Sequence, residues 1–385
     1  MNNHRVLLNA VPFGYGPVSK IASVARKLVQ QKIECVFVGC GVAYEYFKRE
    51  QISEAIELNF YNSDGAERLS ELCQNFSYGL TSMDFDFVNI CSDKIQIGYV
   101  DSLFWMWDTT VFDQNPRLRE VSHYFIQNTF AAQEKVDQFQ IYNPVLIGSV
   151  IDVPITTLIR KNRAVIHLGG VENIYVPIRE IQYPFVVIKV LNDLRDLWQK
   201  YDEVIVVCSE TIADELRIAF PDFPGEFTSL SHKSFISLLA ESDLLLTAPG
   251  LTTILEAFQL RIRTVFLPPQ NYSQYLILRG LTSENYPGQL PNWDYFERSF
   301  HIPDNTPEDL AVKIVKERID QFSNSGSEQL KLRNLLHSRL NDIGKTQSEL
   351  DFQDSFIERV GTDGLDSIIN AICGMGIQNK SKSLV

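Results

Sequence analysis

The chain of 385 residues sets 35 Lys and Arg against 48 Asp and Glu, a formal charge of −13. That balance disfavours a general nucleic-acid or anionic-membrane binder, which needs clustered cations against phosphate, although a local pocket of backbone N–H groups can still hold a small anion. The length exceeds one ordinary core and fits two domains.

In chain order, RVLLNAV (5–11) reads as a strand, VSKIASVARKLVQQK (18–32) as an amphipathic helix and ECVFVG (34–39) as the next strand, a βαβ unit. FDFVNI (85–90), IQIGYV (95–100), SHYFIQN (122–128) and VLIGSV (145–150) read as further strands. The pattern restarts at AVIHLGG (164–170), a strand ending in paired glycines. VVIKVLNDLRDLWQK follows as helix, EVIVVC (203–208) as strand, SHKSFISLLAES (231–242) as helix, DLLLTAPG as strand and turn, TTILEAFQL as helix and RTVFLPP as strand. From Thr306 the tail is helical and charged, and TPEDLAVKIVKERIDQF opens on a Thr-x-x-Asp capping pattern.

The alternation predicts an α/β fold of two doubly wound, Rossmann-like domains, residues 1–158 and 159–345, with closing helices in 346–385 able to pack back on the first domain. In this class ligands settle at the carboxyl ends of the strands, so the two domains are expected to face a cleft. The six cysteines (Cys35, Cys40, Cys73, Cys91, Cys208, Cys373) are scattered with no CxxC pair and read as buried free thiols of a reducing compartment. No apolar run suits a signal peptide or a membrane span, so the expected location is cytoplasmic.

Three turns could carry chemistry. VPFGYGPVSK (11–20) places Gly14 and Gly16 between a strand and a helix, where backbone can approach a ligand and helix-start amides attract an anion. It lacks the third glycine of the dinucleotide fingerprint and an acid at the end of the second strand, which argues against a dehydrogenase. VIHLGGVEN (165–173) places Gly169 and Gly170 after a strand, with His167 inside the strand pattern as a core histidine. TAPGLTTILEA (247–257) supplies a glycine turn, two hydroxyls and Glu256 in an apolar run. A buried carboxylate needs a donor, and a ribose diol, an Arg or a backbone amide would each serve. Metal ligation finds no support, for HxxxH and paired cysteines are missing and DFD (84–86) lies at the start of what reads as an apolar strand.

The segment SLLAESDLLLTAPGLTTILEAFQLRIRTVFLPPQNYSQ (237–274) resembles the donor site of GT-B glycosyltransferases, especially the UDP-glycosyltransferases and the peptidoglycan N-acetylglucosaminyltransferase. The resemblance implies that Gly250 is the turn glycine, that Leu251, Thr252 and Thr253 meet the diphosphate, and that Glu256 holds the ribose. It sets Gln274, with Asn271 and Ser273, near the donor sugar, Ser273 taking the place of an acid in many members. Ala248 occupies the place of a phosphate-contacting histidine. GPVSKIASVARKL (16–28) is similar to the family's N-terminal start, with Gly16 and Ala25 aligned and Pro17 on the histidine that is often the general base. LGGVEN (168–173) likewise resembles a turn facing the diphosphate, and His232 falls where relatives contact the nucleobase.

Proline cannot accept a proton, so another base is needed. Asp101 follows QIGYV, and DSLFWMWDTT then sets Trp105, Trp107 and Asp108 in a loop suited to grip an acceptor. A carboxylate desolvated beside tryptophans is more basic than a free one. The alternative is that Asp101 caps a helix beginning at Ser102 and the tryptophans are core. Tyr15 is a second candidate base. The resemblance as a whole implies metal-independent inverting transfer from a nucleotide-sugar, UDP-linked by preference, to an acceptor, with no further cofactor. An epimerase or hydrolase of the same fold, or a binding protein without turnover, stays open.

Overall fold

The structure is a computed structural model that describes residues 5–153, 159–169, 180–304, 306–342 and 346–382. The chain divides into two compact units, Met1–Asp152 with Val360–Val385, and Val153–Arg359. The first unit holds β1 (Arg5–Ala10), α1 (Gly16–Gln30), β2 (Glu34–Gly39), α2 (Gly41–Glu50), β3 (Glu54–Glu57), α3 (Ser63–Leu72), β4 (Tyr78–Ser82), α4 (Phe85–Cys91), β5 (Gln96–Asp101), α5 (Thr109–Gln114), β6 (His123–Gln127), α6 (Ala132–Lys135) and β7 (Pro144–Ile147). The second runs through β8 (Lys161–His167), α7 (Tyr183–Asn192), α8 (Arg195–Trp198), β9 (Glu203–Val207), α9 (Glu210–Ala219), β10 (Glu226–Thr228), α10 (His232–Ala240), β11 (Ser242–Thr247), α11 (Leu251–Gln259), β12 (Arg263–Phe266), α12 (Tyr272–Ser283), α13 (Trp293–Phe296), α14 (Glu308–Asn324), α15 (Gly326–Asn341) and α16 (Thr346–Val360). α17 (Gly364–Lys382) belongs to the first unit.

Each unit is a parallel sheet layered with helices, in order β3-β2-β1-β4-β5-β6-β7 and β10-β9-β8-β11-β12. Interior strands such as β1 and β8 carry apolar runs because both faces are covered. Val6, Leu8 and Ala10 of β1 pack with Val18, Ile21, Ala22, Ala25 and Leu28 of α1, while Leu7 joins Phe87, Ile97 and Tyr99 on the opposite face. Pro17 lies in the first turn of α1, where a missing N–H costs nothing. In the second unit β8 lies between β9 and β11, with His167 opposite Val207 on one side and Thr247 on the other.

The chain returns to the first unit at Gly361, whose carbonyl accepts both the N–H and the hydroxyl of Ser149 at 2.9 Å. α17 then packs on α1 through Leu365, Ile368, Ile369 and Ile372. α16 stays with the second unit, where Phe356 meets Phe258 edge-on and Gln353 donates to the Ile262 carbonyl at 3.0 Å. Among the described residues no helix is long and apolar enough to cross a membrane.

Two expectations are corrected. Residues 85–90 form α4, not a strand: Asp84 accepts from the Phe87 N–H at 3.2 Å and so starts a helix that buries Phe87, Val88 and Cys91. The Thr-x-x-Asp box at Thr306 does not form, since the Thr306 hydroxyl donates to the Pro303 carbonyl at 2.6 Å and α14 begins without a side-chain cap. All six cysteines are free, four of them buried, with Cys40 and Cys373 partly exposed.

Candidate functional site

In the second unit the turn after β11 is built by short backbone bonds. Ala248 N–H donates to His167 O at 3.1 Å and Gly250 N–H to Ala248 O at 2.8 Å, which ends the strand and starts α11. Gly250 is the N-cap at φ −76°, and a Cβ placed there would meet nothing within 4 Å. Neither conformation nor crowding requires glycine at this position. The first helical bond runs from Ile254 N–H to Gly250 O at 3.0 Å, so the amides of 251–253 precede the ladder. Leu251, Thr252, Thr253 and Glu256 are all buried in this first turn and the next.

Among the described residues the partner of Glu256 is neither Arg nor backbone. Nε2 of His232, the first residue of α10, lies 2.6 Å from Glu256 Oε1, with the two side chains 9% and 2% exposed. Beside them His167 closes β8. Its Nδ1 is 3.2 Å from Thr247 Oγ1, and that hydroxyl donates onward to Ala248 O at 2.7 Å. The network therefore assigns the His167 proton to Nδ1. Burial, with His232 nearby, pushes this imidazole down to about 4, although the residue is not fully buried. His167 is thus neutral at pH 7, with its ring against Phe235 at 4.6 Å.

A second set of groups meets at Gly169, which adopts φ +73°. A Cβ there would lie 2.8 Å from Gln270 Nε2 and 3.7 Å from the Ala248 methyl. Gln270 donates its side-chain N–H to Leu168 O at 2.9 Å and its backbone N–H to Gln274 Oε1 at 3.0 Å. With its oxygen occupied, buried Gln274 has its amide nitrogen left to donate. Asn271 accepts from Gln274 N–H at 3.0 Å and from the Ser273 hydroxyl at 2.9 Å, so these two expected sugar contacts also cap α12. Gln270 was missed, although a glutamine directly after Pro268-Pro269 at a strand end was its signal. Gly170 lies outside the described residues.

The first unit brings its candidates together less closely. Gly14 takes φ +61° before α1, and Tyr15 is the N-cap, its ring 5.5 Å from Tyr46. Gly16 is the first residue of α1. Asp101 ends β5, fully buried, accepting from the Leu103 N–H at 2.9 Å and the Tyr124 hydroxyl at 2.7 Å. Burial raises its carboxyl to about 6 against the lowering effect of those two donors. No α-helix begins at Ser102; a single 3₁₀ turn, Phe104–Met106, follows. Trp105 and Trp107 are half-buried against the core, and the carbonyls of both accept from Lys135 Nζ. Asp108 caps α5 through the Thr110 N–H at 2.9 Å. A second buried carboxylate, Asp84, accepts from the Tyr61 hydroxyl at 2.8 Å and is likewise raised by burial to about 6. Reading 85–90 as a strand had hidden it.

No protein-family model matches the sequence, and no match to a curated protein was found. Solved structures do match. The chain is similar to spinosyn rhamnosyltransferase SpnG complexed with spinosyn aglycone, at 11% identity over 92% of this chain and 96% of that one, TM-score 0.51. It is similar to the S. aureus MnaA–UDP co-structure at 12% identity over 96% of each chain, also at 0.51. MurG of Acinetobacter baumannii matches at 11% identity over 91% and 99%, with a TM-score of 0.45. At these identities what is shared is the fold, and the chain has the GT-B fold.

Proposed function

We propose that this GT-B chain is a glycosyltransferase that binds a UDP-linked sugar in its second unit and passes the sugar to a small-molecule or glycan acceptor held by the first. The observation that carries the reading is the turn at Gly250. Open space beside the glycine, amides ahead of the α11 ladder, two threonines and a buried carboxylate one turn on are arranged around one helix start. Those groups suit a diphosphate and a ribose. The Gly169, Gln270 and Gln274 cluster adds amide nitrogen donors suited to sugar hydroxyls. The reaction we favour is metal-independent and inverting. The acceptor oxygen or nitrogen bonds to the anomeric carbon as the bond to the diphosphate breaks, the helix-start amides hold the leaving charge, and a carboxylate takes the acceptor proton. Asp101 is the candidate base because its raised carboxyl is more basic than a free one and still mostly ionised at pH 7.

The second reading, an epimerase or hydrolase of the same fold or a binding protein without turnover, is favoured by Pro17 and Ala248 in the places of two family histidines. Incubation with nucleotide-sugars and no acceptor separates these readings, through release of free sugar, release of an epimer, or binding alone. The test of the donor site is calorimetry with UDP, GDP, TDP, CDP and ADP. At least one is expected to bind, and Glu256→Ala to lose most of that affinity while remaining folded. Absence of binding to all five removes the donor-site reading.

A further inference from the structure

The carboxylate suited to ribose is already held in place. His232 Nε2 sits 2.6 Å from Glu256 Oε1 in a nearly solvent-free position, and among the described residues no hydrogen bond reaches Oε2. The helix start that carries His232 is itself anchored. His232 opens α10 behind a Ser231 cap that accepts from Ser234 N–H at 3.2 Å, and Phe235, one turn on, packs against the His167 ring. In either the imidazolium or the Nε2–H tautomer the nitrogen donates to the carboxylate, and such a charge-assisted bond is strong and directional. A carboxylate free to turn offers both oxygens to a cis-diol, whereas one pinned at Oε1 presents Oε2.

We infer, resting on the nucleotide-sugar reading above, that His232 is a positioning residue that sets Oε2 of Glu256 toward the ribose, so that the site reads one ribose hydroxyl rather than the diol. Ribose discrimination is then governed by an imidazole that need not touch the nucleotide.

Calorimetry with UDP, 2′-deoxy-UDP and 3′-deoxy-UDP on the full chain tests this. The parent protein is expected to bind one deoxy analogue within about threefold of UDP and the other at least about tenfold more weakly, the loss of one hydrogen bond to a charged group. His232→Ala is expected to weaken UDP about tenfold and to erase the difference between the two analogues. His232→Gln, which can again offer an N–H to the carboxylate, restores the difference, and it serves as the reporter if the alanine variant melts early. Equal loss with both analogues in the parent overturns the inference, as does a parent-like pattern in both His232 variants. If UDP binds and Glu256→Ala weakens it while the His232 variants leave the pattern unmoved, the inference alone falls. If the parent binds no UDP, the nucleotide reading falls with it.

Discussion

Asp101→Asn isolates the cost of a buried charge. The folded chain keeps the Asp101 proton up to about pH 6, whereas an unfolded chain releases it near 3.8. Between those values the folded state holds more protons, so stability falls as pH rises through the window and is level above it. A shift of roughly 2 units corresponds to about 3 kcal/mol. Asparagine keeps the shape but turns one acceptor into a donor toward Tyr124 or Leu103, a cost that is constant with pH. The quantity to read is therefore the slope, not the offset. Urea unfolding of parent and variant at steps from pH 4 to pH 8 gives the difference curve, and Asp84, which titrates in the same direction, is present in both proteins and cancels. The parent is expected to lose about 3 kcal/mol relative to the variant across the window. A flat difference curve refutes the argument and removes the physical ground for Asp101 as a base.

Gly250→Ala is expected to melt within about 2 °C of the parent, since its φ is ordinary and the added methyl meets nothing, yet to lose about tenfold in nucleotide affinity if a diphosphate approaches the turn. Unchanged affinity by calorimetry takes Gly250 out of the site. Gly169→Ala should cost about 1–3 kcal/mol in chemical denaturation, because φ is +73° and the methyl would press on Gln270 Nε2 at 2.8 Å. Parent-like stability there denies the Gly169–Gln270 contact. His167 is held neutral when folded, with a value near 4 against 6.5. It therefore contributes stability that is complete above the unfolded value and is lost as pH falls from about 6.5 through 4, and His167→Gln is expected to flatten that acid limb in melting curves.

Much of the architecture was legible because buried parallel strands leave continuous apolar runs, and the interior strands β1 and β11 carry such runs. β4 was not read. Its letters, YGLTS, carry little apolar signal, and Gly79 is there because a Cβ would sit 2.7 Å from the Ile97 Cδ1 atom of the neighbouring strand. FDFVNI alternates like a strand, yet it forms a helix that Asp84 caps through the Phe87 N–H and that buries Phe87, Val88 and Cys91. At the site, the need of Glu256 for a donor could be argued from an apolar run around a carboxylate. The donor's identity could not, because His232 reaches it across 24 residues through the packing of α10 beside α11.

The surroundings of Pro17 and Ala248 suit the residues found there. Pro17 lies in a helix first turn, a position that proline suits whatever the chemistry nearby. Ala248 is buried, and its methyl lies 3.7 Å from where a Cβ on Gly169 would lie. If the second unit binds a nucleotide-sugar, the diphosphate charge falls to the α11 amides and the sugar hydroxyls to the Gln270–Gln274 pair. Gln270→Ala should then weaken UDP-sugar binding in calorimetry by about threefold to tenfold, the usual worth of a neutral hydrogen bond, and leave UDP binding unchanged. Unchanged UDP-sugar affinity in a folded Gln270→Ala protein would take Gln270 out of the sugar site.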